Sequence, residues 1–102
     1  MTLKVLAEAA AEMEAARRYV DGQRKGLGNR FLSDLSETLA RIADQPLSFP
    51  KLETLPNDQP YRRALLDVFL YAVVFEMIND EIVVVAFAHA SREPNYWLRR
   101  RP

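Results

Sequence analysis

The sequence predicts an α+β fold in which an N-terminal helical hairpin packs on a small antiparallel β-sheet. Two stretches rich in helix formers fill residues 7–44 and are separated by Gly26-Leu27-Gly28. Residues 61–97 hold three apolar runs rich in β-branched and aromatic side chains, broken at Asp67-Val68 and again at Asn79-Asp80. Between these halves, Pro46, Pro50, Pro56 and Pro60 forbid a regular helix or a central strand. That proline-rich loop is long for so small a domain, and Phe49, Leu52 and Leu55 are the residues able to pin it to the body.

Each element follows from its residues. Leu3, Lys4, Val5 and Leu6 form a short extended run suited to an edge strand. Over residues 7–25, Ala9, Met13, Ala16 and Val20 recur at helical spacing. Glu8 and Glu12 near the start of that helix, and Arg24 and Lys25 near its end, suit the helix dipole, while Glu14 and Arg18 form an i,i+4 pair. The second helix, residues 29–44, carries the stripe Phe31, Leu35, Leu39 and Ile42. Its wet side is expected to pair Arg30 with Asp34 and Glu37 with Arg41. So short a break makes the two helices an antiparallel hairpin, whose apolar stripes need a sheet face to cover them.

The three runs of residues 61–97 read as a three-stranded meander with tight turns at Asp67-Val68 and Asn79-Asp80. Taking Asn79-Asp80 as loop residues sets Ile78 opposite Glu81, Phe75 opposite Val84 and Leu70 opposite His89. One face then carries Phe69, Tyr71, Val73, Phe75, Met77, Ile82, Val84, Ala86 and Ala88 without a charge, and is expected to be the core. The other carries Leu70, Ala72, Val74, Glu76, Val83, Val85, Phe87 and His89, joined by Tyr61, Arg63 and Leu65. This register puts Arg63 and His89 on one side of the sheet, roughly 10 Å apart on strands flanking the central one. A slip of one residue would separate them.

Composition narrows the class. A chain of 102 residues with 49% apolar and 27% charged residues is read as a single globular domain over residues 1–102. With no cysteine there is no disulfide framework, thiolate metal site or cysteine nucleophile, which is compatible with a cytoplasmic location. The first residues lack a long apolar core and turn acidic early, so no signal peptide or membrane anchor is expected there. A net charge of zero argues against a strong nucleic-acid binder.

Chemistry-bearing residues collect after the last strand: His89, Ser91, Arg92, Glu93, Asn95, Tyr96 and Trp97, with Arg62 and Arg63 upstream. There is no glycine-rich phosphate loop, no metal-ligand cluster and no nucleophile elbow around Ser91, so neither metal nor cofactor is expected. Histidine moves protons near neutral pH, arginine clamps phosphate, and tyrosine or tryptophan stacks on a base. These are the parts of metal-free RNA cleavage through an activated 2′-hydroxyl. Structural readings stand beside it. His89 reads first as a locally bonded strand-end histidine and Trp97 as a hydrophobic plug over the sheet edge or helix hairpin, with Arg62 and Arg63 as partners of loop carboxylates such as Glu53 or Asp58. Arg99, Arg100 and Arg101 read as a solvated tail.

The order strand, helix, Gly-Leu-Gly-x-Arg-Phe (residues 26–31), helix, proline-rich loop, Tyr-Arg-Arg (61–63), hydrophobic hairpin and His-x-x-Arg-x-Pro-x-Tyr-Trp (89–97) resembles the RelE/ParE superfamily of bacterial type II toxins. The plasmid-stabilisation, ParE-like branch is the most similar. The resemblance implies a toxin that halts growth until a cognate antitoxin neutralises it. RelE-like members cut messenger RNA on the ribosome without metal, and by position Arg63, His89, Arg92 and Tyr96 would be the catalytic counterparts here. ParE-like members poison DNA gyrase. Neutral charge, and Asp67-Val68-Phe69-Leu70-Tyr71 where many relatives carry Arg-Phe-Pro-Tyr, favour gyrase over the ribosome and a non-enzymatic toxin over a nuclease. A non-toxic relative that only binds antitoxin is the third reading. The antitoxin is expected on the helices near Met13, Ala16, Val20, Phe31 and Leu35, and along the strands near Val83, Val85 and Phe87.

Overall fold

A computed structural model of the chain describes residues 1–53, 55, 60–93 and 95–101. Strand β1 (Thr2–Val5) leads into helices α1 (Ala7–Gln23) and α2 (Leu27–Asp44), and a single 3₁₀ turn spans Pro46–Ser48. Strands β2 (Arg62–Leu65), β3 (Tyr71–Ile78) and β4 (Glu81–His89) follow. The sheet order is β1-β4-β3-β2. The two helices on a small sheet match the α+β expectation. The sheet is mixed rather than wholly antiparallel, because β1 joins β4 in parallel, Thr2 opposite Glu81 through Val5 opposite Val84.

The helical break is as short as the sequence suggested but sits two residues earlier, at residues 24–26, and Asp21 reaches across it. Its Oδ1 accepts hydrogen bonds from the backbone N–H of Gly26 at 3.2 Å and of Gly28 at 3.1 Å, so the last turn of α1 caps the start of α2. Two glycines serve two needs. Gly26 sits at φ 93°, where a side chain would be strained. A Cβ on Gly28 would lie 2.9 Å from Asp21 Oδ1.

The Arg30–Asp34 surface pair does not form. Asp34 is 5% exposed, and its carboxylate accepts the backbone N–H groups of Asp67, Val68 and Phe69 at 3.1, 2.8 and 3.2 Å. Arg41 likewise turns from Glu37 to Thr38 and Asp67. The β2–β3 connection is thus no two-residue turn at Asp67-Val68. It is a five-residue loop, residues 66–70, whose backbone is gathered onto one carboxylate.

Phe31 centres the core between helices and sheet, making edge-on contacts with Phe69, Tyr71 and Phe87 at centroid distances of 5.4, 5.5 and 5.7 Å. Ala16, Val20, Leu35, Val73, Phe75 and Val84 pack around it. The Asn79-Asp80 turn forms with both residues at positive φ, and the expected pairings of Ile78 with Glu81 and Phe75 with Val84 are present. Beyond them the register breaks. Val74 faces Ala86 while Phe75 faces Val84, so Val85 is the extra residue of a β-bulge. Past the bulge the faces invert: Phe87 turns to the helices, Ala86 to the outer face, and His89 lies opposite Tyr71 instead of Leu70.

The outer sheet face is not bare either. Trp97, 4% exposed, covers Val74, Val83, Val85 and Ala86, with Leu52, Leu55, Tyr61 and Tyr96 packed alongside. The hydrophobic-plug reading of Trp97 holds. What anchors the tail is a clamp that the sequence reading assigned to solvent. Strand β1 stops at Val5, leaving the outer edge of β4 uncovered at the bulge. There Glu12 accepts the Phe87 N–H at 3.1 Å, and Arg100 donates to the Val85 carbonyl at 3.0 Å. The two side chains then bond to each other at 2.6 Å, and Tyr96 adds its hydroxyl to Glu12 at 2.5 Å. Arg100 is therefore a partly buried partner of a carboxylate, not part of a solvated tail.

Burial raises the Glu12 carboxyl's pKa, but hydrogen bonds from Arg100, Tyr96 and the Phe87 backbone outweigh it and hold the group below its ordinary 4.5. A depressed folded pKa stabilises the fold above the unfolded value, and that contribution disappears as pH falls through the folded value. Urea unfolding should show Glu12→Gln destabilised by about 2 kcal/mol at pH 7, with the gap to the parent narrowing below pH ~4. Asp34→Ala should cost about 3 kcal/mol at neutral pH, since it strands three loop N–H groups.

Candidate functional site

A cavity of about 310 Å³ opens on the outer sheet face between the C-terminal tail and the proline-rich segment. Its floor is Ala72, Val74 and Ala88, small side chains on β3 and β4 that leave depth above the sheet. Trp97 and Tyr96 form one wall, and the segment of Pro50 and Lys51 forms another. That segment lies beside β2 because Arg63 N–H donates to the Pro50 carbonyl at 3.1 Å and Lys51 bridges to Arg62.

All four residues expected to act in RNA cleavage, Arg63, His89, Arg92 and Tyr96, border this one cavity. Tyr96 and Arg92 are engaged by Glu12 and by each other, His89 is bonded through Nδ1, and Arg63 is uncommitted. Burial together with the Glu12 carboxylate pushes the Tyr96 phenol up to about 12, so it stays protonated across the physiological range. The Arg92 guanidinium carbon lies over the Tyr96 ring, 3.8 Å from its centroid, and the guanidinium is 3.7 Å from a Glu12 oxygen. Because of the bulge, the His89 ring stands edge-on to Tyr71 at 5.3 Å on the helix side, rather than facing Arg63. Its Nδ1 accepts the Ser91 N–H at 3.1 Å and contacts Ser91 Oγ at 2.7 Å, the local bonding of a strand-end histidine.

Arg63 does project from the outer face, paired opposite Val74, and its side chain has no hydrogen bond or ion pair among the described residues. Arg62 turns away and donates to the Phe49 carbonyl at 2.6 Å, not to a loop carboxylate. Asp58, the other partner considered, lies outside the described residues.

The residues expected to meet an antitoxin fare differently. Ala16, Val20, Phe31 and Leu35 are core side chains between helices and sheet, and Phe87 joins them there. Val83 and Val85 lie beneath Trp97, and Met13 is half-buried. Burial takes all of these but Met13 out of reach, and the exposed large apolar side chains on the same helices are Tyr19, at 64%, and Leu32, at 42%.

Sequence reasoning missed Glu12, Arg100 and Asp34. The signal for Asp34 was present. Phe31, Asp34, Leu35, Thr38 and Ile42 share one helical face, and a polar residue inside an apolar stripe is buried unless the stripe ends. Glu12, next to Met13 and one turn after Ala9, sits at the flank of the first stripe in the same way.

Among the described residues no three histidine, cysteine or acidic side chains gather to hold a metal ion, and no helix is long and apolar enough to cross a membrane. Among the curated proteins no sequence match is found. A solved structure, the chromosomal ParDE TA system from P. aeruginosa, is similar in fold with a TM-score of 0.64. The two are 15% identical, and the alignment covers 87% of this chain and 95% of that one. The family model described as the ParE toxin of type II toxin-antitoxin system, parDE, matches residues 3–94. With helical hairpin, sheet and tail all inside that match or bonded to it, the chain belongs to the ParE toxin family of type II toxin-antitoxin systems.

Proposed function

We propose that this toxin acts by binding DNA gyrase and trapping it on broken DNA, and that a cognate antitoxin restrains it by covering the toxin. The observation that carries this reading is the state of Tyr96. Its hydroxyl is bonded to Glu12 and its ring face carries Arg92, so two of the four candidate cleavage residues are tied into the clamp that holds the tail. A general base must reach the proton it removes, and a phosphate clamp must have its guanidinium available. Tyr96 and Arg92 do not meet these requirements, and the bulge turns the His89 ring away from Arg63. Zero net charge supports the same reading, because a ribosome-bound nuclease needs electrostatic attraction to RNA.

The test is to mix purified protein with gyrase, ATP and supercoiled plasmid. Linear DNA is expected to accumulate and to disappear when antitoxin is added. Intact plasmid with unimpaired supercoiling would overturn the gyrase reading. A second prediction separates the mechanisms in cells. His89→Ala should remain as toxic as the parent at equal expression, whereas a nuclease that depended on His89 for proton transfer should lose on the order of 10²-fold or more in activity.

A further inference from the structure

The outer-face cavity has more apolar ground than its own volume. Leu65, opposite Ala72 on the neighbouring strand, is 50% exposed, and Leu70, two residues before Ala72, is 70% exposed. Leucines so exposed beside an alanine floor extend the surface past what a small molecule would cover. The aromatic walls do not offer a stacking platform for a base. Trp97 is packed edge-on against Tyr61 at 4.6 Å, and the Tyr96 ring carries Arg92. Among the described residues the rim carries three cations, Lys51, Arg63 and Arg92, against two carboxylates, Glu53 and Glu93, and Arg63 is the guanidinium left uncommitted. One positive charge in excess suits a ligand with a single negative charge better than a doubly charged phosphate.

We infer that this cavity is a recognition site for a peptide segment of a protein partner, receiving one large apolar side chain on the Ala72–Ala88 floor and one adjacent carboxylate on Arg63. It rests on the proposed function only in expecting a protein partner. The test contains no gyrase, so a toxin that ignores gyrase and a cavity that ignores the peptide are separate results.

Isotope-labelled protein would be titrated with acetyl-Phe-Glu-amide, its uncharged twin acetyl-Phe-Gln-amide, and adenosine monophosphate. The readouts are the amide signals of Ala72, Ala88 and Ala90 and the single indole N–H of Trp97. The acidic peptide should shift these signals with a Kd on the order of 1 mM, and the uncharged twin should bind roughly fivefold more weakly. Arg63→Ala should erase the difference between the peptides while leaving the phenylalanine-driven shifts, and Ala90→Trp at the exposed lip should block both. Equal affinity for the two peptides in the parent, a difference that survives Arg63→Ala, or shifts confined to other surfaces would overturn the assignment. Tighter binding of adenosine monophosphate at the same signals would overturn it in favour of a nucleotide site.

Discussion

The Glu12 carboxylate accepts hydrogen bonds from the Phe87 backbone, the Tyr96 phenol and the Arg100 guanidinium, and so joins the first helix, the last strand and the tail at one point. A strand edge left open by the early end of β1 would otherwise expose a carbonyl and an N–H beside a bulge. Unpaired backbone groups of this kind attract other chains. Here a glutamate and an arginine take the place of the missing strand. The same clamp positions Trp97 over the outer sheet face and thereby creates the cavity wall. The geometry of the candidate site is thus a by-product of satisfying a strand edge.

Much of the fold was legible. The helix hairpin, the proline-rich connection, the Asn79-Asp80 turn and the four strands all follow from periodicity and turn chemistry. Failures came where one residue changed the phase or a polar group was buried. The bulge at Val85 has no local signature among Val83, Val84, Val85 and Ala86, since any of these side chains suits either face. It moved Phe87 and His89 across the sheet and separated His89 from Arg63. Asp34 was assigned to solvent by pairing it with Arg30, although its place beside Leu35 put it on the inward stripe.

The candidate site was legible as a neighbourhood and not as a mechanism. Sequence order places Arg63 on β2 and the residues 89–97 at the end of β4, and they border one cavity, although the bulge turns the His89 ring away from Arg63. What decides their chemistry is a residue from the other end of the chain, Glu12, whose partners lie 75, 84 and 88 positions away. No local pattern reports a contact of that range. Family membership supplies the biological context, and the packing around Tyr96 then weighs binding against cleavage.

The parallel pairing of β1 with β4 has a consequence for how the chain reaches this structure. Thr2 meets Glu81, so the first strand has no edge to join until the last strand has been laid against β3. Closing a loop of that length is entropically costly before any contact rewards it. The helix hairpin joins near neighbours and is expected to form early, while β1 and the Glu12–Arg100 clamp join the two ends of the chain and are expected to close last. Until then the outer edge of β4 and its valine-rich faces stand open, and the half-folded toxin is at its most prone to aggregation.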